Sequence, residues 1–200
     1  MRLNIAPACL MPVVALFLLA RPAAADSTFV AASFTTDRDA HEVSHPADTQ
    51  FEINAAHSFD NGVILGASTE YENTAFSDKA NVKIEGILGY RVPLGDLFSL
   101  TGSAGLGGHF RASGSEENFP YYVFRVATDI KVTEDVTWNA LSFRYRNAFD
   151  PDDDFLTPQI ATGISYDLDQ HNVISGKVQY NLKDRKPDTV GFEIDFGYRF

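Results

Sequence analysis

The side chains of this 200-residue chain that could do chemistry stand in short clusters. Asp169-Gln170-His171 sets an acid and an imidazole two positions apart. Arg144-Tyr145-Arg146-Asn147-Ala148 places two guanidiniums at alternate positions; they stay protonated, so they can hold anions but cannot act as base or nucleophile. Asp150-Pro151-Asp152-Asp153-Asp154 opens like a calcium loop, yet Phe155 stands where the turn glycine belongs and no glutamate closes twelve residues. His41 and His45, with Asp39 and Glu42, offer donors of the type transition metals use, though a solvated polar loop has the same composition. His57, His109 and His171 complete no Ser–His–acid set. The expectation is a chain with no catalytic residue, no metal site and no cofactor.

The elements that must position these groups are written in alternation. Along Thr189 to Phe200, Val190, Phe192, Ile194, Phe196, Tyr198 and Phe200 share one side. Gly191, Glu193, Asp195, Gly197 and Arg199 share the other, because successive strand side chains point to opposite faces. The same rhythm between turn signals predicts ten strands, over 27–36, 49–59, 63–72, 80–90, 98–110, 121–132, 136–147, 158–168, 172–182 and 189–200. Most run for about 10 residues, the length a tilted strand needs to cross a hydrocarbon layer. In an eight-stranded alternative, two segments would become plug, hairpin or loop; 27–36 alternates least cleanly. Asp60-Asn61-Gly62, Thr133-Glu134-Asp135 and Asp169-Gln170-His171 read as tight turns, whereas 37–48, 112–120 and 148–157 are longer and polar. That difference puts the turns and both termini on the periplasmic side and the long loops outside, with Arg91 to Leu97 as the one long periplasmic connection. The fold class expected is all-β, a closed antiparallel up-and-down transmembrane β-barrel.

Parity then separates two faces. One collects residues such as Phe51, Leu65, Leu88, Leu106, Phe124, Leu141, Ile164, Ile174 and Tyr180, and almost no charge. A lysine or arginine facing the middle of a bilayer costs roughly 2–4 kcal/mol, so this is the pattern lipid exposure demands. Trp138 falls on the opposite parity, which leaves a bulge or an interfacial position open. The other face carries Glu52, Glu70, Glu72, Lys83, Glu85, Arg111, Arg125, Asp129, Lys131, Arg144, Arg146, Asp167, Lys177, Glu193, Asp195 and Arg199. Isolated buried ions cost several kcal/mol, so these must pair, leaving at most a thin water path. Ser99, Thr101, Ser103, Gly105 and Gly107 are small and would leave volume for Arg144 and Arg146. Lys83, Glu85, Arg125, Arg144, Arg146 and Glu193 are the candidate lining of any pore.

The first 25 residues read as a secretory signal, with Arg2, an apolar stretch from Ala6 to Ala20 and small residues Ala23-Ala24-Ala25 before Asp26. Cleavage is expected after Ala25, leaving one domain, 26–200, without Cys9 and therefore without thiol or disulfide chemistry. The net charge of −11 resides in loops, around Asp37, Asp39, Glu42 and Asp48, Glu116 and Glu117, and Asp150 to Asp154. Such acidity disfavours nucleic acid, whose phosphates need clustered Lys and Arg.

An exported, alternating chain ending in Tyr198-Arg199-Phe200 resembles bacterial outer-membrane β-barrel proteins of small porin-like type, whose last strand commonly ends in Phe as a signal to the barrel assembly machinery. The resemblance implies outer-membrane localisation, with lipid and lipopolysaccharide as surroundings. Residues 144–148 are also similar to a His-x-Ser-Asn-Ala stretch of outer-membrane lipid A deacylases, but Arg144 and Arg146 replace the base and the nucleophile. Asp169-Gln170-His171 resembles an acid–x–His pair of the omptin proteases, on the wrong side of the barrel. The function expected is a non-enzymatic envelope structural protein or a narrow porin-like channel passing small polar solutes. The alternatives are lipid A modification, or adhesion and ligand binding through the external loops.

Overall fold

The computed structural model describes residues 27–77, 79–113, 118–153, 155–183 and 186–200. The expected export signal, its cleavage point and Cys9 lie outside the described residues, as do Glu116, Glu117 and Asp154. Alternation becomes ten strands: β1 (Ser27–Asp39), β2 (Pro46–Ser58), β3 (Val63–Thr74), β4 (Ala80–Leu94), β5 (Phe98–Ser113), β6 (Phe119–Lys131), β7 (Val136–Ala148), β8 (Thr157–Asp167), β9 (Asn172–Lys183) and β10 (Lys186–Arg199). Each pairs antiparallel with its sequence neighbours, and β1 pairs with β10 from Phe29 opposite Arg199 to Asp39 opposite Thr189, closing the barrel. Closure leaves no sheet edge, the condition for placing a sheet in hydrocarbon. The irregular first segment is thus a full member with partners on both sides, and the eight-stranded alternative falls.

Polarity sorts as parity demands. Leu106 is 64% exposed, Ile194 63% and Ile164 57% on the outer wall, while Glu70, Glu85 and Arg146 are each 2% exposed inside. The strands overrun the apolar belt on the rim away from the termini, where Asp37 still faces Asp48 and Arg38 faces Pro46. Polar residues that read as loop go on pairing because the ladder does not depend on what solvates the side chains.

One expectation needs correction, and one alternative left open is decided. Arg91 to Leu97 is no long connection: β4 continues to Leu94 opposite Phe98, and the turn is three residues with Gly95 at φ 76°. Pro93 suggested a break. It is tolerated because Arg91 N–H makes β4's last bond towards β3, to Gly62 O, so the edge that Pro93 leaves without a donor has no neighbour there. Trp138 is turned by a bulge: the β7–β8 register shifts between Asn139 and Ser142, and a matching irregularity follows Thr128 on β6. The extra residue inverts parity, so Trp138 stands on the outer wall beside Ile130 and Ile164, donating its indole N–H to Thr162 Oγ1 at 3.1 Å.

Candidate functional site in the barrel interior

The two-residue spacing that points Glu70 and Glu72, Lys83 and Glu85, and Arg144 and Arg146 inward stacks them into one network. Lys83 sits opposite Glu70 in the ladder and gives its ammonium to Glu70 Oε1 at 2.7 Å and Glu72 Oε2 at 2.5 Å. Arg146 reaches across the lumen from β7, its Nε to Glu85 Oε1 at 2.5 Å and its Nη2 to Glu70 Oε2 at 3.0 Å. Arg125 donates to the other oxygen of Glu85. Tyr121 O–H donates to Glu85 Oε1 at 2.9 Å and its ring lies 6.0 Å from the Arg146 guanidinium. Such pairs repay their desolvation only when hydrogen bonds satisfy both partners, as here.

Tyr121 was not among the sequence candidates, and its signal was the glycine beside it. Gly107 pairs with both Glu85 and Tyr121, and a Cβ there would strike the Tyr121 ring. A Cβ on Gly105 would strike Gly86 O and Ile87. The small residues of β5 therefore make room for Tyr121 and Ile87 from the adjoining strands, not for Arg144 and Arg146 as expected. Gly107→Val should destabilise the barrel by about 1–3 kcal/mol, the usual cost of overpacking, read as a fall in the urea midpoint. An unchanged midpoint would mean that Tyr121 turns aside freely.

Above this network the mouth is filled by rings. His109 stacks on Phe119 with centroids 4.6 Å apart, and Phe155, from the β7–β8 connection, packs at 5.2, 5.1 and 4.9 Å from His109, Phe119 and Tyr121. On the opposite wall Asp37, 1% exposed, accepts from Gln50 Nε2 at 2.7 Å, and Gln159 donates to Asn181 Oδ1 at 2.9 Å. These neutral partners carry no charge pattern and were not foreseen.

Below the network the barrel is hollow. A cavity of about 210 Å³ lies at mid-height, and a vestibule of about 620 Å³ opens at the rim of the termini; Asn54, Ala56 and Lys177 line both. Lys177 bonds Glu193 at 2.5 Å and Asp195 at 2.8 Å, and Arg199 bonds Asp167 at 2.8 Å lower down. Of the six candidate residues, Lys83 and Arg146 lie in the network, Glu85, Arg125 and Arg144 lie between network and cavity, and Glu193 stands apart with Lys177. At the terminal rim Phe200 is 67% exposed, with its ring 4.8 Å from that of Tyr198.

The remaining clusters serve the turns. Asp39 Oδ1 accepts from the backbone of His41 at 2.7 Å and Glu42 at 3.2 Å, and Asp150 Oδ1 accepts from Asp152 N–H at 3.0 Å ahead of a 3-10 turn, Pro151–Asp153. Among the described residues no three His, Cys, Asp or Glu side chains converge on a point that could hold a metal ion. Asp169 accepts from Asn172 Nδ2 and from the backbone N–H groups of Asn172 and His171, each at 2.7 Å, while His171 Nδ1 lies 2.9 Å from Arg199 O. Acid and imidazole thus have separate partners. The Asn172 amide and then the two backbone donors pull the Asp169 carboxyl from 3.8 to about 2. A carboxyl depressed on folding stabilises fully above its unfolded value and loses that contribution as pH falls through about 2. Carboxyl-carbon NMR of the folded barrel should show Asp169 titrating near 2; a midpoint near 3.8 would mean an uncapped turn.

No family model matches the chain, and no curated protein matches it. Solved structures do. The beta domain of the Bordetella autotransporter Brka is 10% identical, aligned over 88% of this chain and 100% of that one with a TM-score of 0.56. An outer membrane channel from Pseudomonas putida F1 is 7% identical, over 88% and 96%, with a TM-score of 0.54. What is shared at such identity is the fold, that of the bacterial outer-membrane β-barrel.

Proposed function

We propose that this chain is a non-enzymatic outer-membrane β-barrel, an envelope structural protein whose outer half is closed and whose inner half is open to the periplasm. The observation that carries the reading is the Arg146–Glu70–Glu85–Lys83 network, each member less than a tenth exposed and placed across the lumen with rings stacked above it. A continuous aqueous path would have to break pairs whose separation leaves charges buried. The belt of exposed Leu, Ile and Phe supports membrane residence, because a water-soluble monomer rarely exposes contiguous apolar patches beyond a few hundred Å². On this reading lipid and lipopolysaccharide surround the belt, and the barrel assembly machinery reads Tyr198 and Phe200.

The narrow-channel reading keeps one observation in its favour, the vestibule and cavity that enter from the terminal rim. Planar bilayers separate the two. The structural reading expects no stepwise current from the reconstituted protein at neutral pH; regular unitary steps would replace it with the channel.

A further inference from the structure

The mid-height cavity has an arrangement of charge that the barrel's stability does not call for. Arg125 and Arg144 face one another directly across the β6–β7 ladder, and like charges so placed are destabilising. Arg125 is held by Glu85, whereas Arg144 has its nearest carboxylate, Glu70, at 3.9 Å, already engaged by Lys83 and Arg146. Its Nε is buried without a hydrogen-bond partner. An Arg side chain left this way costs more than one aimed at water, since its Nε–H donor is desolvated without a partner. The acid that could balance it is on the far wall. β7 and β2 stand five strands apart in either direction round the ring of ten, and Glu52 of β2 lines the same cavity as Arg144. Among the described residues no hydrogen bond and no ion pair within 4 Å engages Glu52, whose charge acts only at longer range, on Arg146, so a cation and an anion line one cavity from opposite walls without meeting.

We propose that this cavity is a binding site for a small zwitterion of the amino-acid or short-peptide class, its carboxylate on Arg144 with Arg125 beside it and its ammonium on Glu52. The volume suits it: about 210 Å³ is somewhat larger than a 150 Å³ cavity that holds benzene. The lining supplies neutral hydrogen-bonding groups between the poles, among them Ser68, Ser142 and Gln159. The remaining lining charges are already matched, Glu85 by Arg125 and Arg146, and Glu193 by Lys177. Access runs through the vestibule at the rim of the termini, past Asn54 and Lys177. A simple anion would satisfy Arg144 and leave Glu52 repelling it; a simple cation would do the reverse. Only a ligand with both charges, separated by the span between the walls, answers both. The site requires the closed barrel alone, whether or not the barrel conducts.

The test is isothermal titration of the detergent-folded full chain at neutral pH and low salt with glycine, glycylglycine and triglycine, set against acetate and ethylammonium. At least one member of the series should bind about tenfold or more tightly than either single-charge probe, the effect of one charge-assisted hydrogen bond. Arg144→Gln and Glu52→Gln should each remove about that factor, and Glu134→Gln in a remote turn should leave it unchanged. Heat-modifiable gel mobility reports folding; should Arg144→Gln not fold, Glu52→Gln and the acetate comparison decide. Acetate binding as well as the zwitterions, undiminished affinity in Glu52→Gln, or no binding across the series would each overturn the proposal.

Discussion

Arg146→Met is expected to lower the stability of the barrel by about 3–5 kcal/mol, the cost of breaking a buried pair from one side. Arg146 is 2% exposed and, among the described residues, is the one cation hydrogen-bonded to both central carboxylates, through Glu85 Oε1 at 2.5 Å and Glu70 Oε2 at 3.0 Å. Methionine nearly fills the space and stays apolar, so the loss is electrostatic and not a cavity. Lys83 still serves Glu70 and Arg125 still serves Glu85, which caps the penalty below that of two bare ions. Adding Glu85→Gln removes one of the stranded charges, so the double variant should recover about 1–3 kcal/mol relative to the sum of the singles. Urea unfolding in lipid vesicles, followed by Trp138 fluorescence and gel mobility, measures both numbers. A loss under about 1 kcal/mol would be the value of a surface pair, and would mean that water reaches the network.

That network also marks where sequence reasoning runs out. Parity alone put Glu70, Lys83, Glu85 and Arg146 on one face, because the period of two is a property of each strand by itself. Which of them meet is a property of the closed ring: Arg146 and Glu85 are 61 residues apart and their strands are not neighbours. Short-range pairing such as Glu70 with Lys83 could be inferred from the β3–β4 hairpin; the reach of Arg146 could not. Trp138 shows a second limit. A bulge is one extra residue, and alternation on either side of it is perfect, so the sequence displays a contradiction in parity without saying where it is resolved. Phe155 shows a third, since nothing local distinguishes a loop aromatic that folds into the mouth from one that faces water. The strand bounds drifted outward for a different reason. Asp37, Asp39 and Pro46 have the chemistry of turns, yet they extend the ladder beyond the apolar belt, where side-chain polarity has stopped reporting backbone pairing.

The solvent of the outer wall can be measured by one substitution whose two outcomes are far apart. Leu106 stands at the middle of β5 and is 64% exposed, with Tyr122 and Gly86 as its ladder neighbours. If water solvated it, Leu106→Arg would be a surface change worth within about 0.5 kcal/mol either way. In hydrocarbon an arginine at mid-depth costs about 2–4 kcal/mol, because the guanidinium must snorkel or draw water and headgroups towards it. The same change at Leu97, in the turn between β4 and β5, should cost only about 0–1 kcal/mol, as the rim lies in the headgroup region. Reversible unfolding of the three proteins in phospholipid vesicles gives the depth profile directly. A steep difference between positions 106 and 97 is expected, and a flat, near-zero pair would take the barrel out of the membrane. The pair tests the belt alone, since neither residue touches the Arg146 network, so its effect should add to that of Arg146→Met within about 0.5 kcal/mol.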